Sequence, residues 1–181
     1  MTNNDVLRRI RYTFDFNDSK MMVLFRSADS KATRTDISDW LKKDDDPAYK
    51  DVSDAQFAVF LDGLITEKRG KKEGAPPRPP EKKLNNNIIF NKLKIALNLK
   101  ADDVLKVLAL ADLRISTHEL SAFFRKPGHK HYRECKDQIL RNFLQGLQKK
   151  YRPESDQNTN SLDKEPVNYY KIPKSLSDSK D

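Results

Sequence analysis

Glycine, cysteine and long apolar runs are all scarce in this chain of 181 residues. Its five glycines are too few for most glycine-rich loops that cradle phosphates. Its single cysteine, Cys135, excludes an internal disulfide framework and a cysteine-rich zinc site. No apolar run approaches the roughly 20 residues of a membrane helix, and the N-terminal residues lack the apolar core of a secretory signal. We therefore expect a cytoplasmic protein that does not associate with membranes.

The main feature of the sequence is an internal repeat. Residues 2–69 align without a gap on residues 85–152 when the sequence is shifted by 83 positions. Thirteen aligned pairs are identical, among them Asn3 with Asn86 and Asn4 with Asn87. The apolar positions also coincide across four successive elements, and chance rarely preserves such a pattern. The sequence therefore predicts a duplication.

Each repeat is predicted to fold as four short helices, because apolar residues recur at helical spacing. In the first repeat we expect helices from Asn3 to about Phe16, from about Asp18 to Ala28, from Thr33, and from Ser53. Asn3 or Asn4 is expected to cap the first helix. Thr33, Ser53 and Ser116 each precede an acid or amide by three residues, which predicts capping boxes.

The alternation of apolar residues from Ile10 to Phe16 is also typical of a β-strand. We favour a helix because Val6 and Leu7 extend the pattern at helical spacing. No second strand pattern is available for pairing. The resulting fold class is all-α, with two tandem four-helix repeats packed together, because one unit of about 68 residues would bury too little surface alone.

Four segments are expected along the chain. They are a first helical repeat at 1–69, a Pro/Lys-rich linker at 70–84, a second repeat at 85–152, and a disordered tail at 153–181. Four prolines make the linker a semi-rigid spacer. The tail is rich in Ser, Asp, Asn and Lys, a composition typical of disorder.

Charge is distributed unevenly between the two repeats. The formal net charge is −1 for residues 1–69 and +8 for residues 85–152, while the whole chain carries +8. The first repeat has Asp44, Asp45 and Asp46 where the second has the densest basic cluster, from Arg125 to Arg133. Such a field favours polyanions, and an aromatic side chain beside the cations could stack on a base. The candidate nucleic-acid-binding residues are Lys92, Lys94, Arg125, Lys126, His129, Lys130, His131, Tyr132, Arg133, Arg141, Lys149 and Lys150.

Two interpretations remain open for this surface. One is a contact with RNA or DNA through the second repeat. The other is a module that binds a protein partner or forms a homodimer, to which the neutral first repeat would be suited. A basic surface that only keeps the protein in solution is the alternative to both.

An enzyme is disfavoured, because we find no convergent set of acid, base or metal-binding residues. His129, His131 and Cys135 resemble metal ligands, but a closed tetrahedral site needs a fourth ligand, and His118, which is near in sequence, is expected at the surface. Cys135 aligns with Val52 and is expected to be a buried apolar residue rather than a nucleophile. We predict no catalytic residue, no metal and no cofactor.

Three runs of sequence resemble a known bacterial family. They are FLDGLITEKRGK (60–71), LNNNIIFNKLKIALNLKADDVLKVL (84–108) and HKHYRECKDQILRNFLQGL (129–147). Together they are similar to the YehS-like proteins, domain of unknown function 1456, over about residues 3–152. That family carries two tandem copies of its unit, and the resemblance implies a bacterial cytoplasmic protein. It supplies no activity, cofactor or catalytic residue to carry over.

Overall fold

The computed structural model describes residues 1–26, 30–71, 73–74, 76 and 79–153, and this part of the chain contains eight α-helices and no strand. The helices are α1 (Asn3–Thr13), α2 (Asp18–Arg26), α3 (Arg34–Leu41), α4 (Asp54–Arg69), α5 (Asn86–Ala96), α6 (Ala101–Leu110), α7 (Thr117–Phe123) and α8 (Asp137–Tyr151). The predicted all-α fold of two four-helix repeats is confirmed. The tail predicted to be disordered lies, apart from Pro153, outside the described residues. Within the described ranges, no helix has the length and apolarity needed to cross a bilayer.

The two repeats pack against each other through two equivalent contacts. Helix α4 of the first repeat packs on α5, the first helix of the second repeat, and α8 packs on α1 in the same way. The shift of 83 positions exchanges these two contacts, so the repeats are related by a pseudo-twofold. Fully buried side chains from both repeats, such as Phe25, Phe57, Phe90 and Phe143, belong to one apolar cluster. Sharing one core compensates for the small size of each unit.

The helices begin largely where the capping patterns predict. Thr33, Ser53 and Ser116 each form the expected capping box. The first helix is the exception, because Thr2 rather than Asn3 or Asn4 is its cap. The Thr2 hydroxyl accepts a hydrogen bond from the Asp5 N–H (3.1 Å), and the Asp5 carboxylate accepts one from the Thr2 N–H (2.9 Å).

The predicted cap Asn4 instead connects α1 to the loop that follows α3. Its side-chain amide donates to the carbonyls of Trp40 (2.9 Å) and Lys50 (2.8 Å). Its side-chain oxygen accepts a hydrogen bond from the Val52 N–H (3.0 Å). Asn4 is buried, so its amide satisfies three backbone groups that water does not reach.

The first helix ends three residues earlier than predicted. Asp15 adopts a left-handed conformation (φ 52°), and the Phe16 N–H donates back to the Arg11 carbonyl (3.0 Å). This geometry closes a helix, and aspartate tolerates it better than most residues. Phe14 and Phe16 therefore lie beyond the helix, which explains why the apolar pattern changes period there. The predicted end of α2 at Ala28 lies outside the described residues.

Candidate nucleic-acid interface

The basic cluster forms a loop, residues 125–133, that leaves α7 directly after its C-cap, Phe124. We call it the basic loop. Two turns shape its backbone, since the His129 N–H donates to the Lys126 carbonyl (3.1 Å) and the Tyr132 N–H donates to the His129 carbonyl (2.8 Å). The loop is therefore fixed in part by its own hydrogen bonds, independently of any charged side chain.

Asn87 attaches the basic loop to α5. Its side-chain amide donates to the carbonyls of Phe123 (2.9 Å) and Arg133 (2.8 Å), and its oxygen accepts from the Cys135 N–H (3.0 Å). These bonds are the counterparts of those that Asn4 makes in the first repeat. Both ends of the loop are thus held by one buried side chain.

Most predicted site residues in this loop are at the surface. The side chains of Lys126, His129, Lys130, His131 and Arg133 are exposed, whereas Arg125 and Tyr132 are half-buried. The rings of His129 and His131 lie 5.7 Å apart, and the His131 N–H donates to Nδ1 of His129 (3.1 Å). The structure therefore gathers seven of the twelve candidates into one loop.

Two further candidates lie at the edges of this loop. The Lys94 ammonium sits over the Phe124 ring, 5.3 Å from its centroid, and Phe124 immediately precedes the loop. Arg141 is exposed on α8, one turn after the residue where that helix begins, and it donates to Oε1 of Gln138 (3.3 Å). Both cations can extend the basic surface.

Lys149 and Lys150 lie at the opposite end of α8. A rise of 1.5 Å per residue places Lys149 about 20 Å along the helix from Lys136. The neighbouring Tyr151 ring contacts Phe14 of the first repeat at 5.1 Å, so this end belongs to the junction between the repeats. The structure does not bring these two lysines to the basic loop.

Lys92 does not lie at the surface at all. It is 9% exposed, and its ammonium pairs with Asp62 of α4 and with Glu81 (2.8 Å). The sequence pattern of α5 gave no sign of these partners, because they come from the other repeat and the linker. Lys92 forms ion pairs with two acids at the junction, and we leave it out of the interface.

Cys135 is buried, as predicted. Burial is the main cause that raises the pKa of its thiol to about 12, with the charge of Asp137 as a smaller contribution. A thiol with so high a pKa is protonated at neutral pH and is a poor nucleophile. Within the described residues, no group of three or more histidines, cysteines or acids is placed to hold a metal ion.

A groove of about 470 Å³ between α7 and the basic loop was missed by the sequence analysis. Its walls are formed by His118, Glu119, Ala122, Arg125, His131 and Arg133. The Glu119 carboxylate accepts hydrogen bonds from the Ser116 N–H (2.7 Å) and hydroxyl (2.8 Å), which lower its pKa. The helical spacing of His118, Ala122 and Arg125, the last of which lies just beyond α7, was the available indication that one face of this helix borders the loop.

These features define a duplicated all-helical protein with two four-helix units. A family model described as Protein of unknown function (DUF1456) matches residues 3–70 and again residues 86–152, so the chain belongs to that family. The chain is 44% identical to the Uncharacterized protein YehS of Escherichia coli (strain K12) over 147 residues, which cover 81% of this chain and 94% of that protein. No solved structure matched the chain. The resemblance noted in the sequence is thereby confirmed.

Proposed function

We propose that this protein binds nucleic acid, RNA or DNA, through the basic loop, without catalysing a reaction. The observation that carries the proposal is the net charge of +8 on residues 85–152, against −1 on residues 1–69 of the same fold. Because the two repeats share one architecture, the difference in charge does not follow from folding requirements alone. It points to a ligand of the second repeat.

The cations of the loop are available to a ligand. Glu134, the acid next to the loop in sequence, is already paired with Lys136 (2.6 Å). In the described part of the chain, Lys126, Lys130 and Arg133 form no ion pair with a protein acid. Each cation that contacts a phosphate releases a condensed counterion, so affinity would fall steeply with salt.

Aromatic rings accompany these cations. Tyr132 is half-buried, and His129 and His131 are exposed on the same loop. Rings interleaved with cations suit single-stranded nucleic acid, in which unpaired bases can stack on side chains. We therefore expect single-stranded RNA or DNA to bind more tightly than duplex DNA.

Fluorescence anisotropy with labelled single strands and duplex DNA tests this proposal at about 50 and 200 mM salt. If six or more phosphates are contacted, affinity should fall by roughly 10³-fold over that range. Charge reversal at Arg125, Lys126, Lys130 and Arg133 together should abolish binding at the lower salt.

The duplication supplies a matched control. Lys126 and Lys43 are the same residue at equivalent positions of the two repeats, and both are exposed. Lys126→Glu should weaken binding, whereas Lys43→Glu, which changes the net charge equally, should not. Equal effects of the two variants, or binding insensitive to salt, would overturn the proposal. A complex with another protein that survives nuclease and moderate salt would favour the protein-partner interpretation.

A further inference from the structure

The loops after α3 and α7 have equivalent backbones. The Lys50 N–H donates to the Asp39 carbonyl (3.3 Å), and the Arg133 N–H donates to the Ala122 carbonyl (3.2 Å). These are the same hydrogen bond, displaced by 83 positions. The first repeat can therefore serve as a template for which groups face each other in the second.

In the first repeat, one carboxylate lies between two lysines of this loop. Asp39 is 6% exposed, and its two oxygens accept from the ammonium groups of Lys42 (2.7 Å) and Lys50 (2.9 Å). These hydrogen bonds, that of Lys42 first, lower the pKa of Asp39. The fold therefore accepts an anion at this position when two cations converge on it.

The second repeat keeps both cations and lacks the anion. Arg125 and Arg133 stand at the positions of Lys42 and Lys50, while alanine stands at the position of Asp39. Ala122 is 7% exposed. Nε of Arg125 is buried without a hydrogen-bond partner, and within the described chain neither arginine forms an ion pair. Ala122, Arg125 and Arg133 all line the groove between α7 and the basic loop.

We propose that this groove binds a phosphoryl group, whose oxygens occupy the place that the Asp39 carboxylate takes in the first repeat. An external anion supplies the charge that Ala122 lacks. The second repeat has arginines where the first has lysines. This difference favours phosphate as the ligand, because a guanidinium presents planar paired donors that match phosphate oxygens.

The other polar residues that line the groove are two histidines and one acid. His118 and His131 line it and can donate hydrogen bonds to a phosphate. Glu119 is the acid among the six lining residues, and its carboxylate is held at the start of α7 by Ser116. The choice of nucleic acid as the source of the phosphoryl group rests on the proposed function. The site itself rests on the comparison of the repeats, the groove and the unpartnered Nε of Arg125.

Titration of the full-length protein with inorganic phosphate tests the site. Sodium phosphate replaces sodium chloride at constant ionic strength, and NMR follows the Nε–Hε signals of Arg125 and Arg133. Saturable shifts of both signals are expected. Absence of a saturable shift would overturn the proposal.

Ala122→Asp is the decisive variant, because it restores the internal carboxylate that the first repeat already accommodates. It should weaken phosphate binding by at least tenfold, equivalent to about 1.4 kcal/mol. Gln145→Glu adds the same charge at an exposed position of α8 outside the groove and should leave binding nearly unchanged. Should Ala122→Asp fail to fold, Arg133→Gln at an exposed position should produce a similar loss.

The source of the phosphoryl group is distinguished by competition. A nucleoside monophosphate and an unlabelled single-stranded oligonucleotide are each added to the phosphate-loaded protein. Displacement by both, with loss of oligonucleotide affinity in Ala122→Asp, supports the site and the proposed function together. Phosphate binding without oligonucleotide binding would support the site and overturn the proposed function. Oligonucleotide binding that Ala122→Asp leaves unchanged would overturn the site alone.

Discussion

At the scale of single residues, Asn87 determines how the basic loop is held. Its side chain is 7% exposed and satisfies three backbone groups of the segment around the loop. Asn87→Ala would leave these groups buried without partners, at a cost of about 2–3 kcal/mol in the free energy of unfolding. Urea denaturation monitored by circular dichroism measures the loss.

Asn91 of the same helix provides the control for this variant. Its side chain is half-buried, and within the described residues it forms no hydrogen bond. Asn91→Ala should therefore change stability by less than about 0.5 kcal/mol. Similar destabilisation by both variants would show that Asn87 matters only as a helical residue.

Two equivalent aspartates predict a dependence of stability on pH. Asp54 accepts from the Leu84 N–H (2.9 Å), and Asp137 accepts from the Met1 nitrogen (2.5 Å), and these bonds lower both pKa values below 3.8. Because these hydrogen bonds are made to the charged carboxylates, their contribution to the free energy of unfolding is complete above pH 3.8. As the pH falls through 3.8 and lower, the unfolded chain binds protons first, and the contribution is lost.

The urea midpoint should therefore fall between about pH 6 and pH 3. Asp54→Asn should lower the midpoint at pH 6 and make the change with pH smaller, because one of the responsible carboxylates is absent. An unchanged pH dependence in this variant would exclude Asp54 as a contributor.

At the scale of helices, Gly146 sets the distance between α8 and α6. A Cβ at this position would lie 2.0 Å from the carbonyl oxygen of Val107 and 2.9 Å from its Cγ1. In an isolated helix, alanine is favoured over glycine by about 1 kcal/mol. Here Gly146→Ala must push two helices apart, and overpacking of this kind costs about 1–3 kcal/mol.

Whether Gly146→Ala raises or lowers the thermal midpoint shows which of these two effects is larger. Gly146→Ala should lower the thermal midpoint, whereas Gln145→Ala on the exposed side of α8 should leave it nearly unchanged. A stabilised Gly146→Ala would contradict the close approach of the helices. The sequence carries one sign of this contact, because glycine recurs inside the fourth helix of both repeats, at Gly63 and Gly146.

Much of the fold was predictable from local patterns, and the failures at the candidate site share one cause. Capping boxes at Ser53 and Ser116 depend on residues three positions apart, so the sequence displays them. The burial of Lys92 depends on Asp62 and Glu81, which lie in other elements. The groove between α7 and the basic loop likewise depends on tertiary contacts, although aligning Asp39 with Ala122 would have revealed the missing carboxylate.

At the scale of the whole molecule, the junction makes the repeats one folding unit. The Leu84 N–H bonds to Asp54 of the first repeat, and the Met1 nitrogen bonds to Asp137 of the second. The first contact joins the last residue of the linker to the first repeat, the second crosses between the repeats, and the two are equivalent under the shift of 83 positions. With the buried Lys92 pairs, they connect polar groups around an apolar core that both repeats share.

The single tryptophan allows this unity to be tested. Trp40 is 4% exposed, lies in the first repeat and contacts the Phe25 ring at 5.1 Å, so its fluorescence reports only on that repeat. Circular dichroism reports on all helices. If the shared core makes unfolding cooperative, Gly146→Ala in the second repeat should shift the urea midpoint of both signals equally. Independent repeats would instead leave the Trp40 midpoint unchanged while the dichroism curve became biphasic. If the two urea midpoints shift together, a substitution in the second repeat destabilises the whole protein. Variants of the second repeat must therefore be compared at equal stability before any change in ligand binding is assigned to a lost contact.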